Sequence, residues 1–352
     1  MTDDQPLVSI VIPTFNQRPD FLRETLNAAL AQTYGNFEVV LSENHSNNGA
    51  EKVFAEFADA RLRTVRPEQH LAMVPHFEFA GRHARGKYIS FLCSDDLVTP
   101  DWLEQLVPLL EGDTNAVFGF GEIANVRHDR PDEIIYRCRN GEFATGSYSV
   151  TDMLKLVIPF NRASSWLVGD LIRTDAYLRA GGMGQPNIRY CGDYALALRL
   201  LEQGSAVYLN KLVGLHRRWD ANDGKTDSKR ALAAIDDTAE LFRIIATSMP
   251  LAPHLSSLAP ELERSKKTKA AVLSLLLLEA VAMGEIRSEN LADPAAKILA
   301  MNNSLRTRSL LGCARTPAIA SLLRTFHKSA KSLYRLLVAP RINRIGAGAV
   351  KE

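Results

Sequence analysis

Strands and helices alternate through the first half of the chain. Leu7–Ile12 (Leu-Val-Ser-Ile-Val-Ile) is a near-continuous apolar, β-branched run, the pattern of a strand buried on both faces. Leu22, Leu26 and Ala29 then recur at helical spacing. Phe37–Leu41 repeats the strand pattern, Val53, Phe54 and Phe57 mark a helix, and Arg61–Val65 reads as an edge-like third strand. A helix is predicted over Val74–Arg85, closed by Gly86, and a fourth strand over Tyr88–Leu92. Thr99 is placed as N-cap of the next helix with Pro100 at its first position. Trp102, Leu103, Leu106, Val107 and Leu110 line that helix, and Ala116–Phe120 is a fifth strand. This alternation predicts an α/β fold: a doubly wound, mostly parallel sheet flanked by helices, with right-handed crossovers.

Beyond it the pattern loosens. Arg127–Ser147 is polar and glycine-containing, an insertion or β-excursion. Ser164–Arg173 reads as strand and loop, followed by a helix that stops at Gly181-Gly182. Asp193 opens another helix, carrying Leu196, Leu198, Leu200 and Leu201 and ending at Gly204; Ala206–Leu209 and Lys211–Leu215 are expected as two short strands. After the turn-rich Ala221–Lys225 everything reads helical, interrupted near Pro250, Pro260, Gly284, Pro294, Gly312 and Pro317. A boundary near Thr226 is expected, with a sheet domain over 1–225 and a helical extension over 226–352.

Composition narrows the class only a little. Of 352 residues 46% are hydrophobic and 23% charged, ordinary for a soluble globular protein. A net charge of +2 selects no partner, and no nucleic acid is expected. The distribution matters more: from Met301 onward basic residues recur up to Lys351 against the single acid Glu352, so the body is net acidic. Cys93, Cys138, Cys191 and Cys313 are widely spaced, which indicates neither a zinc site nor a disulfide framework and suits a reducing compartment. The N-terminus lacks the apolar core of a signal peptide. The longest apolar stretch, Ala270–Met283, is interrupted by Glu279 and is too short to span a bilayer. A cytoplasmic setting is the expectation.

The densest chemistry is Cys93-Ser94-Asp95-Asp96, directly after the fourth strand. Open α/β sheets bind ligands at the carboxyl ends of their strands. Adjacent acids there repel unless a cation or hydrogen-bond donors hold them, and hard oxygen ligands suit Mg²⁺ or Mn²⁺. A solvated turn with one acid capping a helix fits the same residues. Two further strand ends carry polar groups. Pro13 stops the first strand and frees backbone around Thr14 and Phe15, and Glu43 closes the second. Asp193 sits at a helix N-terminus, where a carboxylate is stabilised as the anion; a plain helix cap is the alternative.

With these pieces in order, roughly Pro6 to Trp219 resembles a family 2 glycosyltransferase of the GT-A fold. Val8-Ser9-Ile10-Val11-Ile12-Pro13-Thr14-Phe15-Asn16 is similar to the family's first strand and nucleotide loop. Glu43 falls where the family has the first of two Asp, Asn44 at the second. Cys93 and Asp95 fall on the two acids of the Asp-x-Asp metal motif, with Ser94 between them and Asp96 on the acid that follows. Gly192-Asp193 lies on the family's Glu-Asp, and Leu215–Arg218 on its Tyr-Arg-x-His. The resemblance implies nucleotide binding by Pro13, Thr14, Phe15, Glu43, Ser94 and Asp95. It also implies Mg²⁺ or Mn²⁺ on Asp95, with Asp96 and His216 as further candidates, and Asp193 as catalytic base. Arg218 is a candidate for the diphosphate and Trp166 for a sugar ring. The implied partners are a nucleotide-sugar donor, UDP-linked by default, and a glycan or lipid-linked acceptor. Cys93, Asn44 and Gly192 replace family carboxylates, which keeps a non-catalytic scaffold in view. A sugar nucleotidyltransferase is disfavoured because Thr14–Arg18 contains no Gly. Leu322, Leu323, Phe326, Leu333, Leu336 and Leu337 recur near helical spacing among Arg324, Lys328, Lys331 and Arg335. Such a helix either touches a membrane peripherally, packs on the catalytic domain, or pairs with a second copy.

Overall fold

The computed structural model describes residues 5–138, 143–159, 168–183, 188–219, 228–316 and 319. Contacts divide the chain into two compact units, Met1–Lys225 with Glu240–Leu262, and Thr226–Ala239 with Glu263–Glu352. The first unit opens with β1 (Val8–Thr14), α1 (Pro19–Leu30), β2 (Phe37–Glu43), α2 (Ala50–Val53), β3 (Leu62–Val65), α3 (Met73–Gly81), β4 (Tyr88–Phe91), β5 (Leu97–Val98) and α4 (Trp102–Gly112). It continues with β6 (Ala116–Arg127), β7 (Ile134–Arg137), β8 (Gly146–Tyr148), α5 (Val150–Val157), β9 (Leu171–Arg173), α6 (Thr174–Arg179), α7 (Gly192–Leu201) and β10 (Ser205–Arg218). Helices α8 (Ser228–Thr247), α9 (Ala252–Leu255), α10 (Ala259–Ala282), α11 (Ala292–Met301) and α12 (Leu305–Arg315) follow.

The strands form one sheet in the order β3-β2-β1-β4-β9-β6-β10-β5, with β7 on β6 and β8 on β10. Strands β3, β2, β1 and β4 run parallel, as do β6 and β10, while β9 joins the two sets antiparallel to both. The chain steps from β3 across β1 to β4, so the order reverses between β1 and β4. That reversal is where such sheets open a ligand crevice. Beneath it Val8, Ile10, Ile12, Val39, Leu41, Leu92, Trp102, Leu103 and Leu106 pack into one buried cluster. Each such side chain contributes about 1.5–3 kcal/mol by leaving water.

Several local expectations change. Strand β6 runs on to Arg127, and β10 is one 14-residue strand where two short ones were expected. Its pairing with β6 slips between Leu209 and Leu212 and again between Leu212 and Gly214. Asn210 and Lys211 bulge there, which gave the sequence its polar interruption. Thr99 does not cap α4; Asp101 holds that position. Thr99 instead joins the sheet, its N–H donating to Val213 O at 2.9 Å. Helix α3 ends at Gly81 rather than Arg85, because the next residues are drawn to the sheet. The N–H groups of Arg85 and Gly86 donate to Ser9 Oγ at 3.1 and 2.9 Å, and Arg85 N–H also to Glu38 Oε1 at 2.9 Å. A Cβ on Gly86 would lie 2.7 Å from Leu7 O, Ser9 N and Tyr88 O. Only glycine fits between those strands. Helix α7 begins at Gly192, so Asp193 lies inside its first turn rather than at the cap.

In the second unit Ser304 caps α12 by accepting from Thr307 N–H, and Lys297 bridges Asp236 and Asp293 at 2.7 Å each. Gly312 sits within α12 without breaking it. The amphipathic basic segment from Leu322 to Leu337 lies outside the described residues. No described helix is long and apolar enough to cross a membrane.

Candidate active site

Parallel register brings three strand ends together. Pro13 pairs with Ser42 and Thr14 with Glu43, Asn44 N–H donates to Thr14 O at 3.0 Å, and Leu92 N–H to Val11 O at 2.9 Å. The loop after β1 is tied to the loop after β2: Asn16 N–H donates to Ser46 Oγ and Asn47 N–H to Asn16 Oδ1, both at 2.9 Å. Asn16 and His45 carry positive φ, 47° and 64°, in the region Asn tolerates best among residues with a Cβ.

Glu43 is 2% exposed. Its carboxylate accepts from the N–H groups of Ser46 and His45 and pairs with Arg66 Nε at 3.1 Å. The guanidinium is half exposed, so it forms the outer lip of this acid. Asn44 explains its own departure from Asp. Its Nδ2 donates to Leu71 O at 2.8 Å while its Oδ1 accepts Leu71 N–H at 2.9 Å. A carboxylate could not donate the first bond. This clamp holds the His70 ring against Phe15, centroids 4.3 Å apart, and Phe15 is 46% exposed. Thr14 Oγ1 is buried without a hydrogen-bond partner among the described residues. Together these side chains line an aromatic, polar-rimmed notch above the ends of β1 and β2.

The acids after β4 separate by environment. Asp96 is buried, and its Oδ1 accepts Arg217 N–H at 2.9 Å. Burial, then the neighbouring Asp95 charge, push its carboxyl well above the usual range, against the pull of Arg217. It holds the loop from inside. Asp95 is half-buried; its Oδ2 accepts Trp219 Nε1–H at 2.9 Å. Ser94 Oγ accepts from Gln17 Nε2 at 3.3 Å. Arg217 is fully buried, with Nε on Asp95 O at 2.8 Å, Nη2 on Glu24 Oε2 at 2.6 Å and its guanidinium 4.3 Å over the Phe21 ring. A cation this deeply buried is tolerated because it is paired with a carboxylate and a carbonyl. Burial pushes the Cys93 thiol well up, with the charges of Asp96, Asp95, Asp193 and Asp170 adding to it, so Cys93 is a neutral thiol.

Strand β10 supplies the far wall. Asn125 Oδ1 accepts Arg218 Nε–H at 2.6 Å and lies 3.1 Å from His216 Nδ1. The same oxygen already takes the Arg218 proton as acceptor, so His216 Nδ1 donates and Nε2 keeps its lone pair. Burial and then Arg218 push this imidazole down to about 4; it is neutral. Arg218 Nη2 reaches Tyr136 OH at 3.0 Å. Asp193, in the first turn of α7, accepts Tyr194 N–H at 2.9 Å and shares a small cleft with Asp170.

The fold thus gathers Pro13, Thr14, Phe15 and Glu43 at one strand pair. It sets Ser94, Asp95 and Asp96 at β4, His216 and Arg218 on β10, and Asp193 near Cys93. Trp166 lies outside the described residues. Arg66, His70, Arg217 and Asp170 were not singled out from the sequence. Each takes its place through a long-range contact, and only the basic pair Arg217-Arg218 had a visible signal.

Residues 9–156 match the family model for glycosyl transferase family 2. The Bacillus subtilis protein TuaG, named for teichuronic acid biosynthesis, is 27% identical over 222 residues, 62% of this chain and 81% of its own length. The Escherichia coli β-1,3-glucosyltransferase WfgD, named for UDP-Glc and an α-D-GlcNAc-diphosphoundecaprenol acceptor, is 27% identical over 225 residues, 62% of this chain and 85% of its own. Among solved structures, Staphylococcus aureus TarS 1–349 superposes with a TM-score of 0.56 at 11% identity, covering 88% of this chain and 90% of that one. The mannosyltransferase PcManGT of Pyrobaculum calidifontis, solved with GDP-Man and Mn²⁺, gives 0.52 at 17%, covering 93% and 89%. At those identities the structures bear on fold, which is GT-A. With the strand-end acids and these relatives, residues 9–156 form a glycosyl transferase family 2 domain, and the chain is a glycosyltransferase.

Proposed function

We propose that this enzyme moves a sugar from a nucleoside-diphosphate sugar, UDP-linked by default, to an acceptor hydroxyl in one inverting displacement. The setting we propose is surface-polysaccharide or lipid-linked glycan assembly. The observation that carries this reading is that Glu43 and Asp95 stand just at the carboxyl ends of the parallel strands, with the Asp193 charge acting on Cys93 beside Asp95. The name of WfgD, and a TarS structure solved with UDP-GlcNAc, support the donor class and setting.

The exposed Phe15 ring, backed by His70, offers a face to the base, and Glu43 accepts its ring N–H once Arg66 swings aside or turns to a base oxygen. Asp193, ionised at the start of α7, takes the acceptor proton as its oxygen attacks the anomeric carbon. Among the described residues no three His, Cys, Asp or Glu are grouped to hold a metal by themselves. That fits an ion held by one carboxylate plus the donor's phosphates. Asp95 suits the role, one oxygen being fixed by Trp219. The neutral His216, with its proton on Nδ1, is the tautomer of a ligand. Asp96, turned inward, orients the loop. When bound, Mg²⁺ or Mn²⁺ would neutralise the leaving nucleoside diphosphate. The acids at 95 and 193 support this reading over a non-catalytic scaffold.

Calorimetry of UDP with Mn²⁺ tests the reading. Wild-type protein is expected to bind, and Asp95→Ala to lose binding with the fold intact. Equal affinity in the variant would remove Asp95 from the site.

A further inference from the structure

Asp170 is 4% exposed at the head of β9, and Ser90 Oγ on β4 donates to its Oδ1 at 3.0 Å. β9 runs antiparallel to both β4 and β6, with Ile172 opposite Ile89 and Phe118. Its first residues therefore lie at the carboxyl end of β4, on the ligand side of the sheet. Asp170 and Asp193 line the same small cleft, whose other walls are Phe118, Ile172, Leu196, Ala197 and Leu200. Of the groups that face it, α7 contributes Asp193, the end of β4 contributes the neutral Cys93 thiol, and β6 contributes the apolar Phe118. Burial, with the Asp193 charge adding to it, raises Asp170 to about 8, although Ser90 and the Phe91 backbone favour its anion. At neutral pH it is held largely as the protonated acid, with Ser90 Oγ–H on Oδ1.

We propose that Asp170 is a positioning residue for Asp193: its O–H is directed to the Asp193 carboxylate and holds the pair at a single negative charge while Asp193 takes the acceptor proton. This rests on Asp193 being the base. Two carboxyls sharing one apolar-walled space avoid double ionisation by leaving one protonated. Ionising Asp170 removes the donor and sets two like charges side by side. The basicity this adds to Asp193 offsets only part of the loss, because proton transfer takes up a fraction of a change in pKa.

The experiment follows the thermal midpoint of the full chain from pH 5 to 9.5 for wild type, Asp170→Asn and Asp193→Asn. It also follows UDP release from UDP-glucose with Mn²⁺ over the same range. A carboxyl raised on folding adds stability that is complete at acid pH and is lost as pH climbs through its folded pKa. The wild-type midpoint should therefore fall toward pH 8. Asp170→Asn should flatten that fall, and Asp193→Asn should move it to lower pH. UDP release should decline near pH 8 in wild type but not in Asp170→Asn, whose neutral-pH rate stays within about threefold because the amide still donates. Asp170→Ala should lose about tenfold or more at neutral pH, the worth of one hydrogen bond to a charge, and should approach wild type above pH 8. A midpoint profile unmoved by Asp193→Asn, or an unchanged alkaline decline in Asp170→Asn, would overturn the pairing. Absence of UDP release from wild type would count against the donor assignment alone, with the midpoint shift still deciding the pairing.

Discussion

Asp193 and Glu43 show how much a residue's task depends on its immediate partners. Asp193 occupies the first turn of a helix whose N-terminal dipole favours its anion, which is what a base for a hydroxyl requires. Asp193→Asn is expected to keep UDP binding and lose transfer by a factor on the order of 10² to 10⁴. Near-normal turnover would return it to a structural part of the helix start. Glu43 is held by two backbone N–H groups and Arg66, so its carboxylate is fixed before any base arrives. Glu43→Ala should weaken uridine-nucleotide binding and leave metal affinity unchanged, checked by calorimetry across a nucleotide panel. A preference for guanine in the wild type would overturn the base assignment while leaving the fold untouched.

At the scale of elements, β1 and β2 end level at Thr14 and Glu43 while the β4 ladder stops at Phe91, opposite Val11, so the loop after β4 opens beside the two longer strands. Gly86 leads into β4 with backbone atoms of Leu7, Ser9 and Tyr88 each 2.7 Å from where a Cβ would stand. Gly86→Ala should destabilise by about 1–3 kcal/mol, the usual cost of forcing atoms into a packed core, read as a lower urea midpoint. A variant as stable as wild type would show that β4 shifts more easily than its packing implies. Strand β10 works by a different device. Its bulge between Leu209 and Leu212 lets it stay on β6 for 14 residues and deliver His216, Arg217 and Arg218 to the crevice.

On the scale of the whole molecule, we propose a sheet domain over 1–225 with a helical extension over 226–352. Glu240–Leu262 groups with the first unit, and Thr151 Oγ1 meets His254 Nδ1 at 2.9 Å within it. The basic tail beyond Met301 is the strongest charge asymmetry in the sequence. Near an anionic membrane each basic residue adds about 1 kcal/mol, enough to hold the enzyme beside a lipid-linked acceptor. If the tail acts this way, full-length protein floats with anionic but not neutral liposomes, and a chain ending at Ala318 does not float. Identical behaviour of the two would assign the tail to packing within the protein or against a second copy.

The periodicity of apolar residues by itself determined the alternating elements, the parallel strands β1, β2 and β4, and the polar groups at their ends. A strand buried on both faces has to be continuous and apolar, and the chemistry begins where that run stops. Pro13, Thr14, Glu43 and Asp95 stand where such runs stop, whereas Asp193 was singled out at the start of a helix. What the sequence could not show was which polar groups face inward. Asp95 and Asp96 are adjacent and chemically identical, yet strand β10, more than a hundred residues away, turns one to Trp219 and buries the other on Arg217. Asp170 follows a glycine in an unremarkable stretch; antiparallel insertion of β9 between β4 and β6 makes it a neighbour of Asp193. Local pattern reports burial. Partnership between distant charges depends on strand order, and that was decided only in the tertiary fold.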